Sequence, residues 1–148
     1  MEFSSTPRDI DVLLARYAES HRNPVNELIH FVCIPAIVFS LLGILWAVHP
    51  LVALAVVVAA LVYYVTLSRA FALGMAAMSA VMLGLLSMLP EGTVLVTSIA
   101  VFVLAWIGQF IGHHIEGKKP SFFDDLRFLL IGPLFVLSFF YRRIRVAW

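Results

Sequence analysis

A long apolar segment in the first third of the chain reads LIHFVCIPAIVFSLLGILWAV and runs from Leu28 to Val48. A helix needs about 20 apolar residues to cross the hydrocarbon core of a bilayer. This segment meets that length, and its one basic side chain, His30, lies near its start. The segment therefore predicts a transmembrane helix with a histidine close to one membrane surface.

Three further apolar segments follow it in the chain and are long enough to span: Leu51–Leu67, Ala70–Leu89 and Val94–Ile111. The links between the four segments are short and carry Pro, Ser or Gly, which are typical turn residues. Short links between long helices make them antiparallel neighbours. The expected fold class is therefore all-α, an integral membrane bundle of four transmembrane helices in one domain that covers residues 1–148.

Composition supports the membrane assignment. The chain is 62% hydrophobic and 13% charged, with a mean hydropathy of +1.00. Soluble domains are about 45–50% apolar and about 25% charged. These values exclude a water-soluble globular domain, and no nucleic-acid partner is expected.

The basic residues indicate how the bundle is oriented. All ten Lys and Arg residues fall before the first span, between the second and third spans at Arg69, or after the fourth span. With four spans, these three places lie on the same side, and the positive-inside rule puts both termini in the cytoplasm. A last apolar segment, 126–141, contains Gly132-Pro133 and lies between basic residues. It is predicted to be broken at Gly132-Pro133 and to be re-entrant or interfacial, with a tilted fifth helix as the alternative.

A short amphipathic helix is predicted before the first span, lying along the cytoplasmic surface. Thr6 is the expected N-cap, with Pro7 at the first helical position. Apolar residues recur on one face at helical spacing: Ile10, Leu13, Leu14 and Tyr17.

Polar side chains mark the inward face of two spans. Asn26 and His30 are four residues apart and so share a helix face. Gln109, His113 and Glu116 form a similar stripe on the fourth span, and a strongly polar residue inside the membrane tends to face the bundle interior. His114 is rotated by about 100° from this stripe.

This arrangement predicts a metal site near the cytoplasmic surface, with His21, His30, His113 and Glu116 as ligands and catalytic residues. Imidazole suits Zn, Fe and Cu, and histidine plus carboxylate suits non-haem Fe(II). Asn26 and Gln109 would orient these ligands through hydrogen bonds without binding the metal themselves. His114 remains an alternative ligand. Cys33 is the one cysteine, so a zinc site of the cysteine type is excluded.

Two stretches that carry these residues resemble the signature of the Mpo1-like family, formerly a domain of unknown function. The first is YAESHRNPVNELIH at 17–30, with Pro35 after it, and the second is WIGQFIGHHIEGKKP at 106–120. The resemblance covers most of the chain, including its hydrophobic layout.

The resemblance implies an Fe(II)-dependent membrane dioxygenase that shortens 2-hydroxy fatty acids by one carbon with O2, an α-oxidation. The short chain and short loops suit a bacterial inner-membrane member, whereas the resemblance implies the endoplasmic reticulum if the source is a eukaryote. A homodimer stays possible as a partner arrangement. Three other functions remain alternatives: a zinc-dependent lipid hydrolase, a haem carrier with His30 and His113 as axial ligands, and a non-enzymatic scaffold or transporter.

Overall fold

The computed structural model describes residues 7–148, and this part of the chain forms six α-helices and one short 3-10 helix at Ser121–Phe123. Four of the helices are long and apolar enough to cross a membrane, which confirms the predicted fold class. The helices are α1 (Asp9–Ala18), α2 (Pro24–Val48), α3 (Pro50–Leu67), α4 (Arg69–Met88), α5 (Val94–Glu116) and α6 (Phe128–Ile144).

Helices α2 and α5 share the largest interface of the bundle. Glycines allow the two backbones to approach closely along the whole crossing, because a side chain at any of them would collide with the opposite helix. The pairs are Gly43 with Ser98, Gly108 with Cys33, and Gly112 with Asn26. The residue numbers rise on one helix as they fall on the other, so the helices are antiparallel and their histidine-bearing ends meet.

Local caps fix those two ends. The Asn23 side chain accepts a hydrogen bond from the Val25 N–H at 2.9 Å and begins α2. Gly117 adopts a left-handed backbone (φ 73°) and ends α5, as glycine commonly does at this position. The chain therefore begins α2 and ends α5 within the same region, just beyond His30 and His113.

The N-terminal helix α1 buries the predicted apolar face, and it packs on α6. The expected N-cap, Thr6, lies outside the described residues. The prediction that Pro7 occupies the first helical position was wrong. Arg8 keeps an extended backbone (φ −64°, ψ 145°) and caps the helix, which begins at Asp9. The Arg8 side chain forms a salt bridge with Asp11 at 2.9 Å. This ion pair links the capping residue to the first turn of α1.

The predicted break at Gly132-Pro133 was also wrong, because α6 runs through both residues without interruption. Proline removes one backbone donor and usually disturbs a helix. Here Gly132 and Pro133 are buried, with Gly132 against Tyr17 and Ile34. Packing with α1 and α2 holds the helix together across the proline, and α6 closes the bundle over the histidines.

Candidate metal centre

His21 is placed by the end of α1. It lies in the link between α1 and α2 and is 3% exposed. Its ring stacks on Tyr17, with centroids 4.1 Å apart and planes 8° from parallel. Its Nδ1 lies 2.6 Å from the Tyr17 carbonyl oxygen. A carbonyl can only accept a hydrogen bond, so Nδ1 carries the proton and donates it, leaving Nε2 with a free lone pair.

His30 and His113 face each other across the α2–α5 interface. His30 Nδ1 donates to the Asn26 carbonyl oxygen at 2.8 Å, by the same argument. The Nε2 atoms of His30 and His113 are 3.0 Å apart. The structure thus brings three of the predicted ligands together, because one nitrogen from each of His21, His30 and His113 lies within 4.8 Å of the others.

The three imidazoles fit a metal ion. Metal–nitrogen bonds of about 2.0–2.1 Å place neighbouring ligand nitrogens roughly 3.0–3.4 Å apart. The His30–His113 separation falls in this range. His21 Nε2 is buried and finds no hydrogen-bond partner among the described residues. A buried lone pair without a partner is costly, and a bound cation would satisfy it.

Burial keeps His21 in the form that binds metals. Burial lowers the pKa of His21 to about 4. The hydrogen bond to the Tyr17 carbonyl raises this pKa, and the nearby His113 ring lowers it. At neutral pH the ring is therefore uncharged. Burial also raises the pKa of Tyr17, so the ring stacked on His21 stays a neutral phenol.

Glu116 occupies a different position from the three histidines. Its Oε1 accepts a hydrogen bond from the Arg22 N–H at 3.0 Å. Its Oε2 accepts from the Asn23 N–H at 2.8 Å and from Asn26 Nδ2 at 3.0 Å. The carboxylate thus joins the end of α5 to the start of α2, and it is not among the ligand atoms that cluster. Its role as a metal ligand stays a prediction.

The remaining sequence candidates are divided between the interior and the surface. Gln109 is buried at 6% exposure and its side chain approaches the His30 ring, as expected of an orienting group. Asn26 is fully buried, and its Nδ2 also donates to the Ser20 carbonyl at 3.1 Å. His114 is exposed and points away from the cluster.

The geometry does not suit a haem held between His30 and His113. Two axial ligands lie on opposite faces of the macrocycle, which puts their nitrogens about 4 Å apart at ordinary bond lengths. The observed 3.0 Å is too short, and His21 stands beside both rings, at centroid distances of 4.3 and 5.0 Å.

A cavity of about 60 Å³ lies beside the histidines between α2, α5 and α6. His113, Gln109 and Tyr17 line one part of it, and the other walls are mostly apolar.

Three contributors to the site were not anticipated. Tyr17 and Phe135 pack on His21, with Phe135 5.5 Å away between centroids. Pro120 and Ser121, at the start of the 3-10 helix, line the cavity. Tyr17 carried a signal, since it lies four residues before His21 on the apolar face of α1. Phe135 carried none, because contact between α6 and the α1–α2 link depends on tertiary packing.

Comparison with known proteins places the chain in a family. The sequence profile described as "2-hydroxy-palmitic acid dioxygenase Mpo1-like" matches residues 8–144. The 2-hydroxy-palmitic acid dioxygenase MPO1 of Saccharomyces cerevisiae is 31% identical over 139 residues, which covers 87% of this chain and 78% of the yeast protein. No solved structure matches significantly. The match spans α1 to α6 and includes the three clustered histidines, and the chain belongs to the Mpo1-like family.

Proposed function

We propose that the protein is an Fe(II)-dependent membrane dioxygenase that converts 2-hydroxy fatty acids to acids one carbon shorter with O2. The observation that carries the proposal is the buried cluster of His21, His30 and His113. The name of the yeast relative supplies the substrate class and the reaction type. The four candidate spans agree with a substrate that reaches the site from a membrane.

The three histidines would hold the metal through nitrogens that the fold already aims at one point. The His21 and His30 rings each donate a hydrogen bond from Nδ1 to a backbone carbonyl. A hydrogen bond of this kind fixes the tautomer and orientation of a histidine that binds a metal. Iron bound there would supply the redox chemistry that O2 requires. Three protein ligands leave coordination positions open for small molecules.

Glu116 and Asn26 would position the ligands in this proposal. The carboxylate fixes the 22–23 backbone, which directly follows His21. Asn26 links the same carboxylate to the first turn of α2, one turn before His30. The two groups therefore hold histidines from different segments in register.

The substrate would be oriented by polarity. The apolar tail would extend among the membrane-facing helices, and the carboxylate and hydroxyl would reach the histidines from the side of the cavity. The overall reaction balances without a further reductant, because one 2-hydroxy acid and one O2 give the shortened acid, carbon dioxide and water.

Product identification tests the proposal. Purified protein would be loaded with Fe(II) under nitrogen, then given O2 and 2-hydroxypalmitate without any reduced nucleotide. We expect pentadecanoic acid by mass spectrometry and O2 uptake that matches it about one to one. Stoichiometric zinc with no O2 uptake would instead support the hydrolase alternative, since three histidines also suit catalytic zinc.

A further inference from the structure

The cavity beside His113 contains polar atoms that the protein itself leaves without partners. Six buried side-chain nitrogen or oxygen atoms lack a hydrogen bond among the described residues. Three of them belong to residues that line this one cavity: Trp106 Nε1, His113 Nδ1 and Ser121 Oγ. Buried polar groups are nearly always paired, so a concentration of unpaired ones calls for an explanation.

The three atoms can all donate. The indole nitrogen is a donor only, and the hydroxyl of Ser121 rotates freely to donate. If His113 binds a metal through Nε2, which faces His30, its Nδ1 carries the proton. Ser121 is 6% exposed and His113 is 5% exposed, so bulk water does not replace the missing partners.

The rest of the lining is apolar and carries no charge. One wall comes from α2 (Ile34, Ile37 and Val38) and another from α6 and the residues around it (Phe128, Leu129 and Pro133). No Lys, Arg, Asp or Glu of the described chain lines the cavity. Neutral hydrogen-bond donors in apolar surroundings suit a carboxylate or hydroxyl oxygen. A phosphate group is usually bound by Arg or Lys side chains.

We propose that this cavity binds the carboxylate end of the fatty acid, with the Trp106 N–H and the Ser121 hydroxyl donating hydrogen bonds to its oxygens. The inference rests on the proposed function for the identity of the ligand. Trp106 and Ser121 become substrate-binding residues that select a free acid over a phosphorylated lipid. The apolar walls then contact the first carbons of the chain.

Two conservative variants test the assignment. Trp106→Phe keeps an aromatic ring against Phe122, 5.3 Å away in the native protein, but removes the donor. Ser121→Ala removes only a hydroxyl. We expect each variant to bind radiolabelled 2-hydroxypalmitate at least about tenfold more weakly in detergent under nitrogen, where O2 chemistry is blocked, because a hydrogen bond to a charged group is lost.

Matched controls lie far from the cavity. Trp46→Phe alters an indole near the opposite end of α2, packed on the Leu42 cluster. Ser87→Ala removes an exposed hydroxyl that bonds the Gly84 carbonyl. Both controls should bind the acid as the native protein does. Native affinity in both Trp106→Phe and Ser121→Ala would overturn the assignment.

A comparison of ligands on the unaltered protein gives a second test that needs no variant. Hexadecane-1,2-diol lacks the carboxylate and should bind at least about tenfold more weakly than 2-hydroxypalmitate. Equal affinity for the two would contradict the proposal, as would tighter binding of hexadecyl phosphate.

Failure of this proposal is distinguishable from failure of the proposed function. If the native protein consumes no O2 but both cavity variants lose affinity for the acid, the cavity assignment stands and the dioxygenase proposal fails. If the native protein shortens 2-hydroxypalmitate while both variants keep native KM and affinity, the dioxygenase proposal stands and the carboxylate lies elsewhere.

Discussion

At the scale of single residues, the site depends on neutral imidazoles held by backbone carbonyls. His21 and His30 each use Nδ1 to contact a carbonyl one helical turn earlier, at Tyr17 and Asn26. This arrangement leaves a lone pair on each Nε2 that a ligand could use, and the Nε2 of His30 faces that of His113 at 3.0 Å. Position and tautomer thus follow from the same local contact, which uses a backbone carbonyl that any residue one turn earlier would supply.

The protonation of His21 predicts a pH dependence of stability. The folded metal-free chain has a His21 pKa of about 4, against 6.5 when unfolded. Below pH 6.5 the unfolded state binds more protons, so the free energy of unfolding falls as the pH drops from about 6.5 to 4 and then levels off. The loss from this group is on the order of 3 kcal/mol.

Thermal melting in detergent between pH 7.5 and 4 measures this effect. A His21→Gln variant cannot titrate and should show a visibly shallower decline over the same range. Parallel curves for the native and variant proteins would show that His21 is not buried in its neutral form.

Glu116 is predicted to act through the ligands it positions. Glu116→Ala removes the acceptor of three hydrogen bonds and should weaken metal binding by about 10- to 100-fold, as is typical for outer contacts of a metal site. Glu116→Gln keeps one oxygen acceptor and should lose less. Competition with a chelator measures both, and Glu91→Ala, in a link at the other end of the helices, should match the native protein.

At the scale of elements, the pairing of α2 with α5 decides where the histidines meet. Gly112 lies against Asn26 and His30, with no room for a side chain. Gly84 on α4 faces open space, since nothing lies within 4 Å of the position a Cβ would take. The two glycines therefore provide a matched pair of sites for substitution.

Gly112→Leu should separate α2 from α5, while Gly84→Leu should leave the bundle intact. Overpacking a tight interface costs about 1–3 kcal/mol, so the melting temperature should fall for Gly112→Leu together with metal affinity. Melting curves and metal content of both variants check this. Equal behaviour of the two variants would mean that the α2–α5 contact does not organise the site.

Sequence periodicity predicted this pairing better than it predicted the contacts around it. The stripes Asn26–His30 and Gln109–His113 identified the facing sides of α2 and α5, because polar residues in a span turn inward. The partners of Glu116 were not predicted, since two of them are backbone N–H groups that any residue carries. The continuity of α6 through Pro133 was missed because tertiary packing, which local propensity does not describe, supports it.

At the scale of the whole molecule, every Lys and Arg falls in one of three places along the chain: before α2, at Arg69 where α4 begins, or after α5. Four helices that are long and apolar enough to span a membrane separate Arg22 from Lys118, which predicts that the two lie on the same side of it. Lys118 indeed donates to the Glu19 carbonyl at 2.9 Å. We therefore predict that the site and the basic residues share one membrane surface.

We predict that this surface is cytoplasmic. Reporter fusions at the N-terminus, at the C-terminus and in the Pro90–Thr93 link would test the orientation in a bacterial host. An alkaline phosphatase fusion should be active only in the link, and a fluorescent protein should fold only at the termini. Phosphatase activity at either terminus would contradict the predicted topology.

The central claim is that three histidines from separate segments hold one metal ion. Metal content per chain, measured by mass spectrometry on native protein and on His21→Ala, His30→Ala and His113→Ala, tests it most directly. We expect roughly one iron in the native protein, little in each variant, and native content in His49→Ala, whose histidine only caps α3. Native metal content in the His30→Ala or His113→Ala variant, with the helical fold retained, would contradict the proposed site.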